Sequence, residues 1–162
     1  MIIIKKEIKT NAMRFLDTLN IEYEHVDYGL DHEFVSAVDL ANEGHTDIHT
    51  IFKTLATESK DGDVYILVIN GEDEIDFKKA AKAIGVKSLS MLALKDLRKT
   101  VGYERGATTP LALKKDFPVF IDEKAKDMDY IKVSAGKVGH SLKIKPADLQ
   151  KATKATFADL IK

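Results

Sequence analysis

Residues 51–70 read Ile51-Phe52-Lys53-Thr54-Leu55-Ala56-Thr57-Glu58-Ser59-Lys60-Asp61-Gly62-Asp63-Val64-Tyr65-Ile66-Leu67-Val68-Ile69-Asn70. Both ends are rich in β-branched and apolar residues, and the polar Ser59–Asp63 centre carries turn chemistry. The pattern predicts a pair of strands, His49 to Thr57 and Val64 to Asn70. Downstream, Asp76 opens a lysine-rich helix, Phe77 to Ile84, stopped by Gly85. Val86 to Leu89 reads as a short strand, Leu94 to Val101 as a second basic helix ending at Gly102, and residues 102–110 as a Gly/Thr/Pro loop. Val119–Ile121, Ile131–Ser134 and Ser141–Ile144 read as strands. Pro146 suits the first position of a last helix through about Thr153. Upstream, Thr10 or Asn11 can cap a helix to Leu19 whose Ala12, Phe15, Leu16 and Leu19 form an apolar stripe. Ile21 to Tyr28 alternates as a strand, and Ser36 with Asp39 resembles a capping box opening a short helix through Ala41. About seven short strands, irregularly interleaved with four or five helices, do not make a regular βαβ repeat. The expected class is α+β with one mixed sheet.

The chain has 162 residues, 44% hydrophobic and 31% charged, which suits one domain over residues 1–162 and excludes wholesale disorder. It contains no cysteine, so a disulfide framework, a zinc knuckle and a cysteine nucleophile are all excluded. No apolar run is long enough to span a bilayer, and Met1-Ile2-Ile3-Ile4 stops at Lys5, so the expectation is a soluble, cytoplasmic protein without a membrane partner. The net charge of −1 hides an asymmetry. Residues 21–52 hold eight acids and no Lys or Arg, residues 78–115 carry net +8, and residues 132–162 net +5. Such a chain can present a basic face to phosphates, or merely solvated helix surfaces.

Familiar catalytic signatures are missing: no G-x-S-x-G elbow, P-loop, G-x-G-x-x-G or H-E-x-x-H. His45 and His49 stand four apart, but no third metal ligand is evident. Two glycine loops are more informative, Gly102-Tyr103-Glu104-Arg105-Gly106-Ala107-Thr108-Thr109-Pro110 and Ser134-Ala135-Gly136-Lys137-Val138-Gly139. Such loops can aim backbone N–H groups at an anion or oxyanion, or can be ordinary connections. Lys53, between apolar neighbours on a strand, either faces solvent or projects into a cleft as a point charge.

Several stretches together resemble the YbaK/EbsC aminoacyl-tRNA deacylases, relatives of the editing domain inserted in bacterial prolyl-tRNA synthetases. They are Lys9 to Asp17, Phe52-Lys53-Thr54-Leu55, Ile75 to Gly85, Gly102-Tyr103-x-x-Gly106-x-x-Thr109-Pro110-Leu111, Pro118 to Asp122, Val133 to Lys137 and Pro146 to Leu149. Their order and spacing hold from about residue 9 to the C-terminus. The resemblance implies a mixed, curved sheet with flanking helices, no metal and no cofactor. It implies hydrolytic removal of a wrong amino acid from tRNA, most typically cysteine from tRNA for proline, with the substrate's own thiol attacking its carbonyl. It makes Lys53 the essential side chain, places the Gly106–Pro110 loop over the aminoacyl end, and sets Ser134 and Gly136 on the other side of the pocket, with Tyr28 contributing. The chain departs from the family pattern at Leu30, where a histidine is usual and His32 follows, at Val138 and at Ser141.

On this reading Lys53 anchors the terminal adenosine or the ester. Gly102, Gly106, Thr109, Pro110, Ser134 and Gly136 surround the substrate, and N–H groups of Gly106–Thr109 and Ser134–Gly136 stabilise the oxyanion. Lys78, Lys79, Lys82, Lys95, Arg98, Lys99, Lys114 and Lys115 become candidate acceptor-stem contacts. The partners are aminoacyl-tRNA and, in a ternary complex, prolyl-tRNA synthetase. The alternatives are a deacylase for alanine or serine on tRNA, and a non-catalytic tRNA- or nucleotide-binding module.

Overall fold

In the computed structural model, residues 51–70 form an antiparallel pair, β2 (Phe52–Ser59) and β3 (Val64–Asn70), in register Phe52 to Asn70 through Glu58 to Val64. Gly62 takes φ +88° in the connecting turn. The structure describes residues 8–28 and 47–162. The expectations for Met1–Ile4, Leu30, His32, the Ser36/Asp39 box with its helix to Ala41, and His45 lie outside the described residues.

Around this pair the chain runs α1 (Asn11–Thr18), β1 (Glu24–Asp27), α2 (Phe77–Ile84), β4 (Leu89–Met91), α3 (Leu94–Val101), β5 (Val119–Asp122), β6 (Ile131–Ser134), β7 (His140–Ile144), α4 (Pro146–Thr153) and β8 (Thr156–Ala158). The class is α+β, as expected. Thr10 caps α1 through Met13 N–H, and Asp76 caps α2 through the N–H groups of Lys78 and Lys79. Gly85 and Gly102 end α2 and α3 at φ +93° and +92°, where residues with a Cβ are strained.

The main difference from expectation is the sheet, which is two sheets rather than one. The order β4-β2-β3-β5-β8 makes one and β1-β7-β6 the other. Among the described residues a single parallel bridge, Ile51 to Lys132, joins them. Beyond Ile51, β2 has no ladder to β6, and it meets β4 only at Thr57–Ser59. Its edge from Phe52 to Ala56 therefore has no strand beside it among the described residues. That gap holds the site described below.

Smaller differences have local causes. His49 lies in a 3-10 turn, Ile48–Thr50, because Asp47 accepts from His49 N–H at 2.9 Å and the Asn70 amide donates to the carbonyls of Ile48, His49 and Ile51. Strand β4 starts at Leu89 because Val86 N–H is spent on Ala81 C=O, completing the α2 cap. Strand β1 starts at Glu24 because Ile21 turns back onto α1, its N–H bonded to Leu16 C=O. Strand β8, too short at three residues to read from pattern, pairs parallel with β5.

The continuous apolar run of β3 is explained by burial on both faces. Ile66 and Val68 enter the larger core with α1, Leu111, β5, β6, β7 and α4, whereas Leu67 and Ile69 face Ala80, Ala81, Leu89 and Leu160 beneath α2. Lys53 thus springs from a strand whose neighbour is clamped from both sides.

Candidate functional site

A cleft of about 520 Å³ fills the gap between the sheets. Its floor is Ile51 to Ala56, the edge of β2 that no strand flanks together with the bridged residue before it. One wall is Gly106 with Arg105 and Thr108, the opposite wall Ser134 with Gly139, His140 and Ser141, and the lip is Met91, Leu94 and Leu97. Such a volume falls in the range of small-ligand sites, roughly 300–1,000 Å³.

Lys53 sits on the floor, half-buried. Its Nζ donates to Gly71 C=O at 3.3 Å, and among the described residues it forms no ion pair. Burial pushes its pKa down, while Glu74 and Asp73 act in the opposite sense from a distance. An ammonium held this way has two donors left for a ligand. Next to it, Thr54 Oγ1 is buried without a hydrogen-bond partner, a second unspent polar group on the same edge.

Ser134 and Gly136 brace the walls. Ser134 Oγ donates to Ala107 C=O at 2.8 Å and accepts from Gly136 N–H at 3.0 Å, tying the two glycine loops together. That hydroxyl is a strut rather than a nucleophile. Gly136, at φ +95°, does not line the cleft; a Cβ there would stand 2.9 Å from Tyr103 Cε1. Tyr103 is itself fixed, its OH donating to the carbonyls of Leu111 (2.7 Å) and Ala112 (3.1 Å), and burial raises its pKa.

Of the expected substrate-contacting residues, Lys53, Gly106 and Ser134 reach the cleft. Thr109 and Pro110 are buried behind it, Gly102 is the α3 cap against Lys114, and Tyr28 donates its backbone N–H to Gly139 C=O at 2.9 Å. The expected oxyanion donors are partly committed. Ala107 N–H bonds to Glu104 C=O, Ala135 N–H to His140 C=O and Gly136 N–H to Ser134 Oγ. These three are not free to receive an oxyanion, because the loops use them to hold their own shape.

The basic residues divide into two groups. Lys95, Arg98 and Lys99 lie on α3, beside the lip residues Leu94 and Leu97, and Lys114 docks on Lys99 C=O at 3.0 Å with Lys115 next to it. Arg98 pairs with Glu104 and Lys99 with Asp96. Lys78, Lys79 and Lys82 lie on α2, where Lys79 is engaged by Asp159 at 3.1 Å and by Ile161 C=O.

Reasoning from sequence missed His140, which lines the cleft at 6% exposure. Its Nδ1 lies 2.9 Å from His25 Nε2 of β1. No local signal marks a pair 115 residues apart. Among the described residues there is no group of three His, Asp or Glu that could hold a metal, and no helix is long and apolar enough to cross a membrane.

Residues 32–152 match the model of the aminoacyl-tRNA editing domain. The chain belongs to that family. It is 37% identical to a protein of Enterococcus faecalis whose provisional name is Cys-tRNA(Pro)/Cys-tRNA(Cys) deacylase EbsC, over 96% of this chain and 95% of that one. It is 28% identical, over 58% of its length, to a proline–tRNA ligase of Shouchella clausii, of which the match covers 16%. A solved structure described as a provisional trans-editing enzyme for prolyl-tRNA synthetase superposes with TM-score 0.79 at 20% identity, covering 96% of this chain and 99% of that one. At that identity the likeness concerns the fold. As an editing domain, the chain carries the expected F-K-T-L lysine on the cleft floor.

Proposed function

We propose that the chain, acting as one editing domain, is a trans-editing deacylase that hydrolyses a mischarged amino acid from tRNA, cysteine from tRNA for proline above all. The observation that supports this most is Lys53: a half-buried ammonium without an ion pair among the described residues, on the floor of a cleft sized for an aminoacyl-adenosine end. A lone buried cation disfavours the fold unless something uses it, and an ester carbonyl or ribose oxygen is a suitable acceptor. The 37%-identical EbsC protein supports the choice of cysteine.

The bond to be cut is an activated ester, and the chain brings no cysteine of its own. With Ser134 committed as a strut, the nucleophile comes from the substrate or from water. In the cysteine case the substrate thiol lies within reach of its own carbonyl, and enforced proximity alone supplies several kcal/mol. Rapid cleavage of cysteinyl-tRNA beside slow cleavage of alanyl- and seryl-tRNA tests this reading.

The cleft holds the aminoacyl end, and the tRNA body then lies across the lip. Lys95, Arg98, Lys99, Lys114 and Lys115 flank that lip, and we assign them the acceptor-stem phosphates, with the α2 lysines further away. Binding through three or four phosphates of a duplex stem should weaken roughly forty- to a hundred-and-fiftyfold between about 50 and 200 mM salt, measured by filter binding or anisotropy. A salt-independent affinity would contradict this assignment. Prolyl-tRNA synthetase, as a third member of the complex, would add tRNA affinity that so small a basic surface lacks.

A further inference from the structure

His25 and His140 face each other diagonally across the β1–β7 ladder, in which Asp27 pairs with His140 and His25 with Leu142. Their rings stack at 5.1 Å and 28°. The 2.9 Å contact between His25 Nε2 and His140 Nδ1 needs one nitrogen to donate and the other to accept. The pair therefore holds one proton between these two atoms. His140 Nε2, the nitrogen left over, has no partner among the described residues.

The described residues lining the cleft include no Asp or Glu; the groups able to titrate there are Lys53, Arg105 and His140. Arginine stays protonated at all relevant pH values, and a lysine gives up its proton reluctantly near neutrality. Ester cleavage in the cleft nevertheless needs a proton removed from the attacking group and one delivered to the departing ribose oxygen. An imidazole does both near pH 7.

We propose that His140 is the proton-transfer residue of this cleft and that His25 is the positioning residue that holds its ring. The proposal rests on the deacylase reading above. As the substrate sulfur bonds to the carbonyl carbon, its S–H proton passes to His140 Nε2. The imidazolium so formed donates from Nδ1 to His25 Nε2. When the carbon–ribose oxygen bond breaks, that oxygen takes the proton back from Nε2. Neutral His140, a free tRNA hydroxyl and a cyclic thioester result, and water opens the thioester to cysteine.

The surroundings suit this role. Burial pushes the His140 pKa below its ordinary value; Asp27 of β1 opposes, while His25 of β1 and Lys137 of the glycine loop add to the lowering. Lys53 from β2 and Arg105 from the opposite wall face the same space. A lowered pKa leaves the ring neutral, and so able to accept a proton, at pH 7.

The test is the pH profile of single-turnover Cys-tRNA(Pro) deacylation between about pH 5 and 8. The wild type should gain rate through one inflection below the ordinary imidazole value of 6.5 and then level off. His140→Gln, which keeps a polar group but cannot titrate, should lose about 10²- to 10⁴-fold and show no inflection. His25→Gln should move the inflection, which a purely structural role would not. An active wild type together with His140→Gln that keeps its rate and profile overturns the proposal and leaves the deacylase reading standing. If His140→Gln does not fold, as judged by circular dichroism, the His25→Gln profile decides, and an unmoved inflection overturns the proposal. A wild type inactive on every aminoacyl-tRNA fails the reading itself.

Discussion

Lys53→Ala should lower Cys-tRNA(Pro) deacylation by about two to three orders of magnitude while the protein stays folded. The lysine is the cation of the cleft floor, tethered to Gly71 C=O with donors to spare. Removing it leaves the ester without that contact but opens no hole in either core, because Lys53 belongs to neither. Lys53→Arg should not restore activity, since a planar guanidinium presents its donors in a fork rather than as a compact point charge. Stability should move the other way. The Lys53 pKa is depressed in the folded state from its ordinary 10.5. A lysine with a lowered folded-state pKa binds its proton more weakly in the folded than in the unfolded chain. That penalty is fully present at neutral pH and fades as pH rises toward 10.5. Lys53→Met should therefore melt at the same temperature or higher at pH 7. Loss of activity together with gain of stability is the signature of a functional charge; a loss of both would mean the lysine mainly holds the fold.

Gly136→Ala should cost about 1–3 kcal/mol of stability, lower the melting temperature by several degrees and reduce activity as well. Two independent causes act at this position. The backbone is in the left-handed region at φ +95°, and the new Cβ would meet Tyr103 Cε1 at 2.9 Å. The ring cannot easily yield, because its OH is bonded to two carbonyls of the 102–112 segment. Displacing Gly136 also withdraws its N–H from Ser134 Oγ, the strut between the cleft walls. The Tyr103→Ala background separates the causes. There the steric part of the Gly136→Ala cost should vanish and the backbone part remain, so the two substitutions should be markedly non-additive in thermal melts. Strict additivity would show that Tyr103 is not the obstacle.

What could be read from the sequence is local. The β2–β3 pair, the Asp76 cap, the Gly85 and Gly102 stops and Pro146 at a helix start each depend on residues within a few positions, and each is found where expected apart from the ends of the first strand, Phe52–Ser59 rather than His49 to Thr57. Lys53 was legible as a candidate for the same reason, although its neighbours could not say whether it faced solvent or a cleft. What escaped depends on register between distant segments. The stretch of the β2 edge left without a neighbouring strand, which lines the cleft, is set by the ladder partners of β2 and not by its own sequence. The His25–His140 contact and the wedge of Tyr103 beneath Gly136 arise from strand and loop docking. The glycine loops stood out in the sequence, which left open whether they donate to a ligand or merely connect strands. Several of their N–H groups and the Ser134 hydroxyl are spent inside the loops, so they shape the cleft more than they donate into it. The absence of cysteine acquires mechanistic weight once Ser134 is known to be occupied.

The most direct test of the account is single-turnover hydrolysis of tRNA(Pro) charged in turn with cysteine, serine, alanine and proline, with the enzyme in excess. Cysteine should be released completely and with first-order kinetics well above the buffer rate, serine and alanine more slowly, and proline not above buffer. A folded wild-type protein that leaves all four at the buffer rate would contradict the account.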